Sequence, residues 1–199
     1  MAGSGTASRS AARRAAVERE ILDAAWTLMA ADGAAALNVR EVARLVGLRQ
    51  QSLTYYFPSK LVLLDALFAD GFSDLRAALE VVAASDDPVE DVVAVAMTVV
   101  EYCVQHPARY QLLLQRSVPA FAPSERSLRI SQGCLAVLGG RLDAAGVTGE
   151  DDAALIRALI SGAASEQLAN QPSGRQFLDQ VGRGVRVLVE ASARARISE

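Results

Sequence analysis

Apolar residues recur every three or four positions along most of the chain, which is the spacing of helices that bury one face. No segment shows the strict alternation of apolar and polar residues expected of a half-buried strand. Glycines, prolines and short Ser/Asp/Asn clusters interrupt the helical spacing. We therefore predict an all-α fold with about nine helices, over residues 15–31, 39–46, 50–57, 60–84, 89–105, 108–117, 124–145, 150–169 and 175–196.

The most informative part of this pattern is residues 38–60, which predict two short helices joined by a tight turn. Asn38 can cap the first helix, and Glu41 can reach back to the cap's own amide in a capping box. Gly47 stands where the helix must end in a left-handed residue, a conformation that costs glycine little. Pro58 stops the second helix, because the residue before a proline is pushed out of helical geometry. The arrangement is that of a helix-turn-helix.

The second of these helices is predicted to turn polar and aromatic side chains outward while Leu53 and Phe57 face inward. Amide side chains suit base edges in a major groove, and hydroxyl groups suit phosphates. Arginines beside the helix add positive charge. The candidate DNA contacts from this surface are Arg40, Arg49, Gln50, Gln51, Ser52, Thr54, Tyr55 and Tyr56.

The same region resembles the TetR-like (tetracycline-repressor-like) family of helix-turn-helix transcriptional regulators. The resemblance is carried by Glu20 to Ala25, Asp32-Gly33, Val39 to Ala43, Gly47-Leu48 and Tyr56 to Lys60. It covers roughly the first third of the chain at the level of motifs, and the rest matches in length, helical content and helix order.

The resemblance implies a helix-turn-helix DNA-binding domain at residues 15–59 and a larger helical effector-binding and dimerisation domain at 60–199. It also implies that Lys60 touches a phosphate from the start of the next helix, where the helix dipole favours the same anion. Two positions depart from the family pattern. Arg49 stands where a small capping residue is usual, and Thr54 stands where tyrosine is usual, so the operator sequence is harder to infer.

Charge is distributed unevenly along the chain. Residues 1–60 contain eight Arg or Lys and five Asp or Glu, a net charge of +3 in a chain whose total is −3. Residues 1–14 are predicted to be a disordered basic arm, since they are rich in Gly, Ser and Ala and show no packing pattern. Arg9, Arg13 and Arg14 on this arm either make no contact or reach a flanking minor groove.

The last two predicted helices mix large apolar residues with small ones, which allows close approach of helices. In the family that the chain resembles, this pair of helices forms a homodimer, and two-fold symmetry matches a pseudo-palindromic operator. The alternative is that both helices serve only the core of one chain. The candidate interface residues are Leu155, Ile156, Leu159, Ala163, Phe177, Val181, Val185 and Leu188.

The middle helices are expected to hold a small-molecule site, because regulatory pockets are apolar with a few polar groups. The mostly aliphatic surroundings indicate an uncharged, lipophilic effector. Each candidate residue has the alternative of belonging to the core. The candidates are Phe68, Phe72, Met97, Tyr102, His106, Tyr110, Phe121, Cys134 and Gln167.

Other function classes find little support in the sequence. There is no Gly-rich phosphate loop and no G-x-S-x-G, and the single histidine has no evident acidic partner, so an enzyme is not expected. No cluster has metal-ligand spacing, and no cofactor is expected. The chain lacks a signal peptide and an apolar run of the ~18 residues that a membrane span needs, so a cytoplasmic location is expected. Cys103 and Cys134 are expected to be buried thiols rather than a redox switch.

The interpretation is a dimeric DNA-binding regulator, most simply a repressor, released by a small lipophilic effector. The alternative is a DNA-binding regulator or architectural protein that has no small-molecule effector.

Overall fold

The computed structural model describes residues 4–170 and 174–197. This part of the chain is all-helical, as predicted, and contains no strand. A 3-10 turn at Ala34–Ala36 accompanies nine α-helices: α1 (Ser4–Asp32), α2 (Val39–Leu45), α3 (Gln50–Tyr56), α4 (Lys60–Glu80), α5 (Pro88–Gln105), α6 (Pro107–Leu113), α7 (Glu125–Ala144), α8 (Glu150–Asn170) and α9 (Gln176–Ile197). Most helix ends lie within a few residues of the predicted positions.

Helix α1 begins at Ser4 rather than near Ala15. Residues 4–14, predicted to be a disordered arm, therefore form the first turns of a helix that continues to Asp32. The alanines that read as low complexity are also strong helix formers, which explains the difference. Residues 1–3 of the predicted arm lie outside the described residues.

Helices α2 and α3 form the helix-turn-helix. The Asn38 side chain accepts a hydrogen bond from the Arg40 amide at 3.0 Å, as expected of a cap. Gly47 has φ +66°, and the amides of Gly47 and Leu48 donate to the carbonyls of Arg44 and Ala43 at 3.2 and 2.8 Å. This pair of hydrogen bonds is the Schellman motif, which requires a residue in the left-handed conformation just after the helix.

The capping box was predicted wrongly: the Glu41 carboxylate accepts a hydrogen bond from Arg44 on the same helix, at 2.8 Å, instead of reaching back to the cap. An exposed arginine one turn away offers the carboxylate a charged donor. Arg49 precedes α3 without a side-chain cap, as expected.

A single continuous core runs from Ile21 to Val189. Leu53 and Phe57 both face inward, as predicted, with exposed fractions of 0% and 6%. Among the later helices, α4 packs along α7, while α5 and α8 both pack along α9. Within the described ranges, no helix combines the length and apolar character needed to span a membrane.

Gly71 in the middle of α4 lets α6 approach closely. A Cβ at this position would lie 3.0 Å from Leu113 Cδ1. The Tyr102 hydroxyl donates to the Gly71 carbonyl at 3.0 Å. The glycine therefore allows α6 to pack closely against α4.

Candidate DNA-binding surface and effector cavity

Helix α3 presents most of the predicted DNA contacts to solvent. Tyr55 is 69% exposed, and Tyr56 is partly buried against the core. Lys60, at the start of α4, is also partly buried. The remaining members of the set are all exposed: Arg40, Arg49, Gln50, Gln51, Ser52 and Thr54.

Internal hydrogen bonds orient part of this surface. Arg40 Nε donates to Gln50 Oε1 at 3.1 Å, so one amide group is held by the preceding helix. The Thr54 hydroxyl donates to the Gln51 carbonyl at 2.8 Å and is occupied within α3. Over residues 4–170 and 174–197, the side chains of Gln51 and Ser52 make no hydrogen bond to protein and keep their donors and acceptors available to a partner.

Arg14 of α1 reaches across to α3. Its guanidinium carbon lies 5.3 Å from the centre of the Tyr55 ring and 5.8 Å from that of Tyr56. The two tyrosine rings meet edge to face at 5.3 Å. Glu18 accepts a hydrogen bond from Arg14 at 2.7 Å and fixes the arginine on α1. The sequence analysis missed the contact of Arg14 with these two rings, because it placed Arg14 in a disordered arm.

Lys60 occupies the junction between the 3-10 turn and α4. Its Nζ donates to the Ala35 carbonyl at 3.1 Å. The Ser59 hydroxyl caps α4 by accepting from the Val62 amide at 3.2 Å. An ammonium group has three donors, so the bond to Ala35 leaves donors of Lys60 for a phosphate.

A polar cluster surrounds Asp70 of α4, where α1 and α4 meet. The Trp26 indole nitrogen donates to Asp70 Oδ2 at 2.8 Å, and Arg19 forms an ion pair with the same carboxylate. Burial acts to raise the pKa of Asp70. The hydrogen bonds from Arg19 and Trp26, with the charges of Arg19 and Arg109, outweigh it and hold that pKa below its usual value. The carboxylate is therefore ionised and links α1 to α4.

Helix α6 completes this junction. The Arg109 guanidinium lies 4.9 Å from the centre of the Trp26 ring and pairs with Asp74 of α4. Gln111 Oε1 accepts from the Ala34 amide at 3.0 Å, a direct bond between α6 and the 3-10 turn before α2. Helices α4 and α6 are therefore bonded directly to α1 and to the 3-10 turn that precedes α2.

Tyr102 and His106 belong to the same junction rather than to an apolar cavity. The Tyr102 hydroxyl accepts from Arg109 at 2.9 Å, and burial raises the pKa of Tyr102 to about 12. The His106 ring lies 4.9 Å from the Tyr102 ring. Burial and the nearby charge of Arg109 lower the pKa of His106, which favours the neutral imidazole. His106 and Trp26 line a crevice of about 260 Å³ between α1 and the α5–α6 turn.

An apolar cavity of about 190 Å³ lies between α4, α5, α7 and α8. Of the nine effector candidates, Phe72 and Cys134 line it. Most of its wall is aliphatic, formed by Leu75, Leu79, Val99, Leu114, Leu138 and Ile160. Its polar members are Arg157 and Ser161 of α8. Sequence reasoning missed these wall residues because an aliphatic residue beside a cavity has the same helical spacing as one in the core.

The other candidates lie in different environments. Phe68 is fully buried and packs edge to face against Phe72 and Phe121. Met97 lies near Gly182 of α9, and the Tyr110 hydroxyl donates to the Ser161 carbonyl at 3.2 Å.

Gln167 is a structural residue at the start of α9. It is fully buried, and its Oε1 accepts from the amides of Phe177 and Leu178 at 3.0 and 3.2 Å. Its Nε2 donates to the Gly174 carbonyl at 2.9 Å. These bonds satisfy backbone groups at a helix start, so the effector assignment of Gln167 is replaced by a structural one.

The candidate interface residues of α8 and α9 divide into two groups. Ile156, Val181 and Val185 lie in the core of the chain, with exposed fractions of 0–2%, so their assignment to an interface is corrected. The helical register turns these positions toward α5 and the α8–α9 contact. The others are exposed or partly exposed: Leu155, Leu159, Ala163, Phe177 and Leu188. Val187, not predicted, is 58% exposed beside them.

Metal chemistry has no support at these sites. Across the described part of the chain, no group of three or more His, Cys, Asp or Glu side chains is arranged to hold a metal ion.

Comparison with known proteins also finds a helix-turn-helix family in the first third of the chain. Residues 21–67 match the family of bacterial regulatory proteins of the tetR family. The HTH-type transcriptional regulator Rv1816 of Mycobacterium tuberculosis is 32% identical over 124 residues, which cover 59% of this chain and 52% of the relative. The chain thus spans about half the length of the curated relatives that it matches.

Solved structures share the fold over most of the chain. The regulatory protein SCO4313 has a TM-score of 0.71 at 24% identity, covering 90% of this chain and 97% of that one. RolR, crystallised with resorcinol, has a TM-score of 0.60 at 18% identity, covering 90% and 95%. Residues 21–67 thus match the bacterial tetR family of regulatory proteins, and the chain as a whole shares the fold of SCO4313 and RolR.

Proposed function

We propose that the protein is a dimeric, sequence-specific transcriptional repressor that a small molecule releases from its operator. The observation that carries the proposal is the exposed polar face of α3 on a helix-turn-helix whose sequence matches the tetR family. In this role α3 enters the major groove. The protein acts on double-stranded DNA in the cytoplasm, without a cofactor.

Each part of the DNA surface has an assigned task. Gln50 and Gln51 carry the amide groups that read adenine edges, and Tyr55 adds a large exposed ring. Ser52, Thr54, Tyr56 and the arginines Arg40 and Arg49 contact the backbone or flanking bases. Lys60 contacts a phosphate beside the N-terminus of α4.

The exposed side of α8 and α9 is the proposed dimer interface. Two shallow grooves run along these helices, and Leu159 borders both. Leu155 and Val187 are 53% and 58% exposed on this face, and a contiguous exposed apolar patch is typical of a protein–protein interaction site. Two-fold pairing on this face would place two copies of α3 about one DNA turn, ~34–36 Å, or a multiple of it apart.

Release follows from the position of the cavity against α4. Phe72, Leu75 and Leu79 of α4 line the cavity, while Asp70 and Asp74 of the same helix hold the DNA-binding domain through α1 and α6. A ligand that binds the DNA-incompetent arrangement more tightly shifts the population away from the operator. RolR, with the same fold, was crystallised with resorcinol, and a tetR protein of Acinetobacter baumannii with minocycline.

A regulator without an effector is the second candidate. The cavity of about 190 Å³ is smaller than the ~300–1,000 Å³ of typical ligand pockets, which favours this alternative. A screen of small molecules by thermal denaturation separates the two candidates, because a ligand that binds the folded protein raises its melting temperature once the ligand concentration exceeds Kd.

Selection from a random DNA library tests the DNA-binding proposal directly. The expected product is one enriched sequence with two related half-sites, bound in a gel shift by two copies of the chain. Enrichment of a single, unsymmetrical half-site would contradict the dimeric arrangement. If no sequence is enriched and the protein binds all DNA weakly and in a salt-sensitive way, sequence-specific recognition would be contradicted.

A further inference from the structure

The cavity between α4, α5, α7 and α8 contains one charged lining residue, Arg157. We propose that the effector is a small monoanion: an apolar body the size of one substituted aromatic ring, with a carboxylate that pairs with Arg157. This inference rests on the proposed effector-released repressor and replaces the uncharged effector expected from the sequence.

The size of the body follows from the volume. An apolar cavity of about 150 Å³ lined by Leu, Ile and Phe side chains accommodates benzene. The present cavity, at about 190 Å³, has room for such a ring with one substituent or for a short alkyl chain of equal bulk. Apart from Arg157, Ser161 and the Cys134 thiol, its lining is apolar and matches a body of this kind.

The charge of the ligand follows from Arg157 and its partner. The Arg157 side chain is 36% exposed, which places it at the rim of the cavity. It pairs with Glu150 at 2.6 Å, but Glu150 is 83% exposed. An exposed ion pair contributes little stability, so a ligand carboxylate can take the place of Glu150 at small cost. The new pair would be more buried, and a planar guanidinium binds a carboxylate through two parallel hydrogen bonds.

The rest of the cavity is compatible with a negative charge at that rim. Cys134 is the ionisable side chain deeper in the wall, and burial raises the pKa of its thiol to about 11, so it is neutral at pH 7. Ser161, one turn after Arg157 on α8, adds a hydroxyl that can donate to the second carboxylate oxygen. A cationic ligand, by contrast, would meet Arg157 as a like charge.

Isothermal titration calorimetry on the DNA-free protein at pH 7 tests the inference with three probes. Benzoate and octanoate carry the carboxylate on a ring and on a chain, and benzamide is a neutral match for benzoate. We expect at least one of the two anions to bind about tenfold or more tightly than benzamide. The relative affinities of benzoate and octanoate then show whether the body is a ring or a chain.

Variants of the ion pair make the test specific. Arg157→Gln should weaken anion binding about tenfold or more, and Arg157→Lys should restore part of it. Glu150→Gln frees the guanidinium and should strengthen anion binding. Arg129→Gln, which removes an exposed guanidinium from α7, is the matched control and should leave all three affinities unchanged. Far-UV circular dichroism confirms that each variant is folded.

Two results would overturn the inference. Equal binding of benzamide and benzoate, or an anion affinity insensitive to Arg157→Gln in a folded protein, would exclude an anionic effector held by Arg157. Absence of binding by all three probes would exclude a ligand of this size and class. Operator binding is measured separately, by gel shift on the same preparations. A native protein that does not bind an operator would contradict the proposed function, whatever the titrations show about the anion.

Discussion

Replacement of Asp70 by alanine should destabilise the protein by about 2–3 kcal/mol. The substitution removes the acceptor of the 2.8 Å hydrogen bond from the buried Trp26 indole, and a hydrogen bond to a charged group contributes ~1.5–3 kcal/mol. The ion pair with Arg19 adds little, since the Arg19 side chain is 44% exposed and exposed pairs contribute ~0–1 kcal/mol.

Two further variants separate charge from hydrogen bonding. Asp70→Asn keeps an oxygen acceptor for the Trp26 N–H and should cost only about 1 kcal/mol. Trp26→Phe keeps an aromatic ring under Arg109 and removes the donor. A double-mutant cycle between Asp70→Ala and Trp26→Phe should give a coupling energy of about 1–2 kcal/mol.

The pH dependence has a definite sign. The folded pKa of Asp70 lies below its usual value, so the carboxylate contributes stability above the usual aspartate pKa of ~4 and loses it as pH falls through the folded value. The stability difference between the native chain and Asp70→Asn should therefore be constant at neutral pH and shrink below about pH 4.

Urea denaturation followed by far-UV circular dichroism at fixed protein concentration measures these differences. Trp26 is the only tryptophan in the chain, so its fluorescence also reports the junction in the Asp70 variants. A cost below about 0.5 kcal/mol for Asp70→Ala, or a coupling energy near zero, would refute the view that this cluster stabilises the contact between α1 and α4.

Three other perturbations test separate parts of the structure. Gly71→Ala places a Cβ 3.0 Å from a leucine of α6 and should destabilise the protein in urea titrations. Gly140→Ala, whose Cβ would meet nothing within 4 Å, should stabilise it by ~0.5–1 kcal/mol. Equal effects of the two substitutions would contradict the packing role of Gly71. Gln167→Leu leaves two amides of the α9 start unpaired and should cost roughly 2–4 kcal/mol in the same assay, so a neutral result would contradict its structural assignment. Burial raises the pKa of Cys103 to about 12 and that of Cys134 to about 11, so both thiols should react with a disulfide reagent at pH 8 far more slowly in the folded than in the urea-unfolded protein, and rapid folded-state reaction would contradict their burial.

The local signals of the helix-turn-helix were sufficient to predict it. Asn38, Gly47 and Pro58 each act through backbone geometry within a few residues, so the sequence alone locates the turn. The inward positions of Leu53 and Phe57 followed from helical spacing for the same reason. Glu41 was an exception, because its exposed carboxylate can pair with more than one nearby donor, and the positively charged Arg44 attracts it more strongly than a neutral backbone amide.

The features that depend on packing between distant segments were not predictable in the same way. The cavity draws on four helices and the end of α6, and a residue such as Leu114 differs from a core leucine only in what lies across from it. Arg14 meets Tyr55 only because α1 continues to Ser4. Ile156 and Val185 shared an apolar pattern with Leu155 and Val187, and the orientation of α8 and α9 in the bundle separated the buried pair from the exposed one.

The most direct measurement of the central claim is the affinity of the native chain and of Tyr55→Ala for an enriched operator and for unrelated DNA, by fluorescence anisotropy over a series of salt concentrations. We expect Tyr55→Ala to weaken operator binding by ~1–3 kcal/mol and to leave binding to unrelated DNA unchanged. Lys60→Ala, measured in parallel, should weaken both alike and reduce the salt dependence. Operator affinity that is unaffected by Tyr55→Ala, or a change in sequence preference caused by Lys60→Ala, would contradict the assignment of α3 as the reading helix and of Lys60 as a phosphate contact.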